Sequence, residues 1–335
     1  MLGALLLALL GAAAQAQPVG LQRGVVFDQY SARSSSAELV RRNLSPLAAA
    51  RLAIRLARAG EALGGQSVNL ADERFLVYAP KRAPPRGYAV MVFVPPWPDA
   101  RLPRGWAPVL DREGVIFVSA ARSGNDASIL DRREPLAVLA AENIVARYPV
   151  DPERIYIAGF SGGSRVAMRI ALAYPDVFQG ALLNAGADPI GNPETTLPPR
   201  DLFLRVQAST RLVYVTGARD EVNLGKDADS RRSMSRWCVF STAAQIAPRL
   251  GHEPLDAGAL AAALAGLDTP TRPDPARLAA CRAALDAQLA RALESVETRR
   301  ANGQQADADR MLRDIDTRFG GWAASRVSDL LPGEE

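Results

Sequence analysis

Histidine is nearly absent from this chain: its 335 residues include one, His252. Any mechanism that needs two histidines in one chain is thereby excluded, His-rich zinc centres among them. Cysteine is almost as scarce. Cys238 and Cys281 are the only two, so thiolate zinc sites and Cys-ligated iron–sulfur clusters are excluded too. Neither a metal nor an organic cofactor is expected. The only lysines are Lys81 and Lys226, so the basic charge is almost entirely arginine. The net charge of +4 and the pI near 9.3 raise the question of a nucleic-acid partner. The arginines are scattered among Asp and Glu and form no stripe, so none is expected. Beyond the N-terminus no stretch approaches 18 uncharged apolar residues, the length a spanning helix needs. Stable membrane insertion of the mature chain is therefore not expected. The 48% apolar and 23% charged content is ordinary for a globular chain. The length suits one large domain or two small ones, and no internal repeat is found.

Residues 1–16 read MLGALLLALLGAAAQA. The apolar run has the length of a signal-peptide core, and Ala14-Gln15-Ala16 supplies a small-x-small cleavage pattern. The basic residue that usually precedes such a run is missing. The expectation is a signal peptide over 1–16, an exported protein, and a periplasmic or extracellular location in a bacterium. An oxidising compartment would let Cys238 and Cys281 pair. The bridge would tie a C-terminal helix to the main domain; two unpaired buried thiols are the alternative.

Downstream, strands alternate with helices. Segments 74–79, 88–95, 115–119, 154–158, 180–183, 212–216 and 239–246 read as strands. Segments 47–63, 106–113, 133–147, 162–174, 227–237 and 255–264 read as helices, and 17–47 as polar and irregular. Such alternation predicts an α/β fold: a mostly parallel central sheet with helices on both faces. Continuous apolar runs such as AVMVFV agree, because central parallel strands bury both faces. The proline-rich stretch 268–275 breaks the pattern, and 276–331 reads as two or three helices. The expected organisation is therefore an N-terminal segment over 17–70, a catalytic domain over 71–267, and a linker with a C-terminal helical extension over 268–335.

The chemistry gathers on Gly159-Phe160-Ser161-Gly162-Gly163, a G-x-S-x-G sequence. It follows the apolar strand RIYIAG and opens the helix SGGSRVAMRIALAY, the strand–turn–helix setting of a nucleophile elbow. Glycines are needed there because side chains would collide across the tight turn. The free amides and positive dipole end of the new helix would face a developing oxyanion. A serine hydroxyl needs a base to take its proton, and the single histidine makes His252 the candidate. It follows a strand and lies C-terminal to the serine, in the order Ser…Asp…His. The acid should lie between them beyond a strand end. Asp220 in LVYVTGARD meets that condition, with Glu221, Asp227 and Asp229 nearby.

These residues resemble the α/β-hydrolase superfamily. The block VDPERIYIAGFSGGSRVAMRIALAYPDVFQGA, the acid turn TGARDEVN and the histidine turn LGHEPLD are similar to exported esterases of the polyhydroxybutyrate-depolymerase and feruloyl-esterase type. The resemblance runs from about residue 88 to 264. It implies an α/β-hydrolase fold, a Ser161–His252–Asp220 triad, and an oxyanion hole with Gly162 as one amide donor. Family members usually carry His-Gly after the early strand, where this chain has Val94-Pro95-Pro96-Trp97-Pro98. Prolines have no N–H to donate, so by position the second donor would be the Trp97 amide. Trp97 could also wall the substrate pocket. Asn125, in the loop 121–126, and Asn184 should line the same crevice. The expected activity is cleavage of small-molecule or polymer-derived carboxylic esters through an acyl-enzyme. A serine peptidase is one alternative. The other is a hydrolase-fold protein that binds without turnover because of its altered Pro95-Pro96-Trp97 loop. The oligomeric state is left open.

Overall fold

The computed structural model describes residues 17–269 and 272–327. The elements in chain order are β1 (Gly20–Val25), α1 (Ser36–Asn43), α2 (Pro46–Ala59), β2 (Phe75–Ala79), β3 (Tyr88–Val94), α3 (Ala107–Glu113), β4 (Val115–Ala120), α4 (Glu134–Arg147), β5 (Val150–Phe160), α5 (Gly162–Ala173), β6 (Gly180–Asn184), α6 (Arg200–Ser209), β7 (Arg211–Gly217), α7 (Glu221–Arg236), β8 (Thr242–Ala247), α8 (Ala257–Asp268), α9 (Pro275–Ala301) and α10 (Gln305–Phe319).

The eight strands form one sheet in the order β1-β2-β4-β3-β5-β6-β7-β8. β1 and β2 run antiparallel to their neighbours and every later pairing is parallel. This is the α/β-hydrolase fold, with the G-x-S-x-G turn at the end of the central strand β5. Every residue of β3 and of β4 is buried. Alternate side chains serve different cores, as the pleat demands. Val90 and Val92 of β3 join Ile116, Val118 and the helices α4 and α5 on one face. Met91 and Phe93 join Phe117, Trp106 and the apolar side of α8 on the other. Burial on both faces is what places the ends of β3, β5, β6 and β7 at a common edge with little freedom to shift.

Several elements differ from the sequence-based expectation. Residues 17–47 are not irregular: they contain β1 and α1. β1 is a half-exposed edge strand that carries little apolar signal and takes its hydrogen bonds from β2. α6 lies in a segment where neither a strand nor a helix is expected. α7 begins at Glu221 rather than 227, because the Asp220 side chain caps it by accepting from the Asn223 amide. β8 starts at Thr242 rather than 239.

The C-terminal helices α9 and α10 pack on the face bearing α5 and α6 and share its core. Cys238 and Cys281 are joined as a disulfide across 43 positions of sequence. Arg200 Nη2 donates to Asp286 Oδ2 at 2.8 Å, and Trp322 meets Phe203 edge-on at 5.9 Å. The expected signal segment 1–16 lies outside the described residues. Among the described residues, no helix is long and apolar enough to cross a membrane.

Candidate active site

The turn after β5 is sterically determined. Ser161 has φ 54° and ψ −121°, a conformation a non-glycine residue holds only when its surroundings impose it. The amide of Ser161 donates to the Asn184 carbonyl at 2.9 Å, and its carbonyl accepts from the Ser164 amide at 3.0 Å. A Cβ on Gly159 would sit 2.2 Å from the Gly163 carbonyl oxygen, and one on Gly163 would sit 2.0 Å from that of Val94. Both obstacles are backbone. The two glycines therefore let β5, the start of α5 and the end of β3 meet at van der Waals distance, and Ser161 is left standing at the apex.

Three expected residues come together there. Ser161 Oγ lies 2.9 Å from His252 Nε2, and His252 Nδ1 lies 2.7 Å from Asp220 Oδ2. Asp220 accepts only, so Nδ1 carries the proton and Nε2 is free to accept from the serine hydroxyl. Asn223 Nδ2 is also 3.1 Å from Nδ1. Two donors face each other in that contact, so the Nδ1 bond belongs to Asp220. The imidazole rests on the Phe160 ring, with centroids 5.0 Å apart. His252 thus reaches Ser161 from a loop beyond β8, while Asp220 projects from the turn between β7 and α7.

Asp227 and Asp229 are engaged elsewhere. Asp227 accepts from Thr216 Oγ1 at 2.6 Å and from the Ala187 amide at 3.0 Å. Asp229 pairs with Arg232. Asp220 is 7% exposed. Burial works to raise its pKa, but hydrogen bonds from His252 and Asn223 outweigh it and hold the carboxyl below its ordinary range. It therefore stays ionised opposite the imidazole.

Asn223 was not singled out from the sequence. Its Nδ2 donates to both Asp220 oxygens, at 3.0 and 2.8 Å. Its Oδ1 accepts from Arg165 Nη2 at 3.3 Å, and Arg165 Nε in turn donates to Asp188 at 3.1 Å. Asp220 is of a type favoured at an N-cap, but no local pattern in the sequence marks the Asn223 side chain. Gly186, at φ +112°, has no room for a side chain because Asn223 Oδ1 would lie 2.3 Å from its Cβ.

The loop after β3 is pinned from several sides. Buried Arg133 donates to the Pro95 carbonyl at 2.9 Å, the Asn125 amide to that of Pro96 at 3.0 Å, and the Arg122 amide to that of Pro98. Desolvation lowers the Arg133 pKa to about 10, with Asp126 opposing. Gly162 is the first residue of α5, so its amide has no partner within the helix. The Asn125 carboxamide lies against it: a Cβ on Gly162 would be 2.2 Å from Asn125 Oδ1. Trp97 is half-buried, with its ring 6.0 Å from that of Phe160. Asn184 differs from expectation. It is 3% exposed, and its Nδ2 donates to the Val215 carbonyl at 3.1 Å. It sits at the end of a central strand with its side chain turned onto β7, so it supports the Ser161 turn from below instead of lining the crevice.

Residues 118–223 match the protein family described as "Esterase PHB depolymerase". That span contains Ser161 and Asp220; His252 lies beyond it. A 45-residue stretch is 42% identical to poly(3-hydroxyalkanoate) depolymerase C of Paucimonas lemoignei, covering 13% of this chain and 11% of that relative. The matched part is thus about a tenth of that protein's length. Among solved structures, a poly(3-hydroxybutyrate) depolymerase from Bordetella parapertussis is 20% identical, with a TM-score of 0.42, over 62% of this chain and 88% of that one. A fluorophosphonate-binding serine hydrolase of Staphylococcus aureus is 14% identical, with a TM-score of 0.45, over 59% of this chain and 93% of that one.

Proposed function

We propose that this chain is an exported serine hydrolase that cleaves carboxylic esters through an acyl-enzyme. The observation that supports it best is the unbroken hydrogen-bonded series Ser161–His252–Asp220 at the apex of a strained elbow. The match of residues 118–223 to an esterase family points the same way. The disulfide suits an oxidising compartment.

In the proposed reaction, Ser161 Oγ attacks the ester carbonyl while His252 Nε2 takes its proton. Asp220 holds the ring tautomer and stabilises the imidazolium. The Gly162 and Trp97 amides would receive the oxyanion, and the Asn125 carboxamide, which lies beside Gly162, would touch the substrate. The imidazolium returns its proton to the departing alcohol oxygen. Water then attacks the acyl-enzyme with the same histidine as base, releasing the acid and restoring Ser161. No step calls on a metal or organic cofactor.

The test is labelling of the folded protein with a fluorophosphonate, followed by turnover of p-nitrophenyl esters and of matched peptide amides. We expect one adduct on Ser161, ester turnover well above amide turnover, and loss of both labelling and turnover in Ser161→Ala. A folded protein that takes no label would overturn the reading in favour of a binding protein. Faster amide cleavage would make it a peptidase.

A further inference from the structure

Beside His252 lies an open groove of about 520 Å³, between the segment 97–104 and the segment 250–256. That volume accommodates a small organic group. Its apolar lining includes Trp97, Leu102, Leu250 and Leu255. Its charges are unevenly engaged. Glu253 accepts from the Gly251 amide at 3.1 Å and lies 3.8 Å from Arg219. Asp256 accepts from the Ala259 amide at 2.8 Å and lies 3.5 Å from Arg249. Both carboxylates therefore already face donors. Arg101 and Arg104 also line the groove, and neither forms an ion pair among the described residues. The Arg101 guanidinium stacks on the Trp97 ring, 3.9 Å from its centroid. A guanidinium held over an indole face keeps its charge and its N–H donors while losing some of its freedom to reorient.

We propose that this groove is a subsite for an anionic leaving group, with Arg101 binding a carboxylate on the alcohol half of the ester. The inference rests on the proposed esterase reading. The alcohol half is indicated by position. His252 protonates the departing oxygen, and Glu253 and Pro254, which continue the chain from His252, form one wall of the groove. Trp97 links the two places, because its ring contacts Phe160, on which His252 rests. The apolar floor would hold the body of the leaving group while the guanidinium takes its charged end. A stacked Arg can bind a carboxylate through two parallel bonds, which favours it over an isosteric amide.

The experiment compares kcat/KM for the butyrate esters of 4-hydroxybenzoate and 4-hydroxybenzamide. We expect the carboxylate ester to be preferred roughly fivefold or more at low salt, with the preference shrinking as salt rises. In Arg101→Gln that ratio should collapse to about one, and Arg101→Lys should restore part of it. Calorimetry on Ser161→Ala adds a readout independent of turnover: 4-hydroxybenzoate should bind more tightly than 4-hydroxybenzamide, and Arg101→Gln should erase the difference. Equal kcat/KM for the two esters, or a preference that survives Arg101→Gln, overturns the subsite and leaves the esterase standing. Absence of turnover on every ester with selective anion binding retained overturns the esterase and leaves the subsite standing.

Discussion

Replacing Asn223 by Ala tests whether the acid of the proposed triad needs to be held from behind. Asn223 Nδ2 donates to both oxygens of Asp220, at 3.0 and 2.8 Å, and both residues are buried. In the variant, Asp220 keeps the His252 bond and a long contact from the residue 223 amide, at 3.4 Å. A hydrogen bond to a buried charged group contributes about 1.5–3 kcal/mol. The carboxylate is free to swing once that support goes, and the imidazolium it must stabilise exists only along the reaction. If the lost contribution appears in the transition state, kcat falls by roughly 10- to 150-fold, at about 1.4 kcal/mol per decade. Asn223 stands behind Asp220, away from the groove beside His252, so KM should stay within about twofold. The assay is steady-state hydrolysis of p-nitrophenyl butyrate, with the urea midpoint measured on the same samples. A kcat within twofold of the parent protein would refute the reasoning. So would a loss explained entirely by unfolding.

Other consequences are equally direct. Gly163→Ala places a Cβ 2.0 Å from the Val94 carbonyl oxygen, so urea denaturation should show destabilisation of about 3 kcal/mol, the upper end of the usual cost of overpacking against backbone. The modest stabilisation of about 1 kcal/mol expected for Ala in an open helix would contradict the close approach. Cys281→Ser opens a loop of 43 positions and should cost about 4 kcal/mol on the chain-entropy account, read as a lowered urea midpoint that added reductant no longer changes. Burial pushes the Glu134 carboxyl up to about 7, against the opposing effects of Asn43, Arg169, Tyr174 and Arg42. Burial likewise pushes Asp227 up to about 6, against bonds from Thr216 and Ala187. Both groups hold a proton in the folded state that the unfolded chain releases near pH 4. Their contribution is therefore whole below about pH 4 and is lost progressively as pH rises from there through about 6 to 7. Urea midpoints in Glu134→Gln should fall less over that interval than in the parent; an unchanged slope would sink this assignment.

Much of the site was legible because its constraints are local. The elbow needs a strand, a residue at positive φ, two glycines and a helix in succession, and residues 154–174 spell that order out. The imidazole that meets Ser161 could be named by elimination, since one histidine leaves no choice. Its carboxylate partner was harder. Asp220, Glu221, Asp227 and Asp229 all follow β7, and only the path of the chain into α7 separates the one beside His252 from the one turned under Thr216. Asn184 shows the reverse case. Its place after a strand suggested a crevice residue, yet burial on both sides of β6 turned its side chain onto β7.

The G-x-S-x-G turn, the single imidazole and the alternation that makes a parallel sheet could all be read from the residues, because each follows from short-range sterics, composition or periodicity. The fold was needed to choose among four acids the one that meets that imidazole, and to show that Asn223 holds it, that residues 20–25 extend the sheet as an edge strand, and that two arginines without an ion pair among the described residues line a groove beside the histidine. These features depend on segments far apart in the chain arriving at the same place, and no local pattern encodes such a meeting.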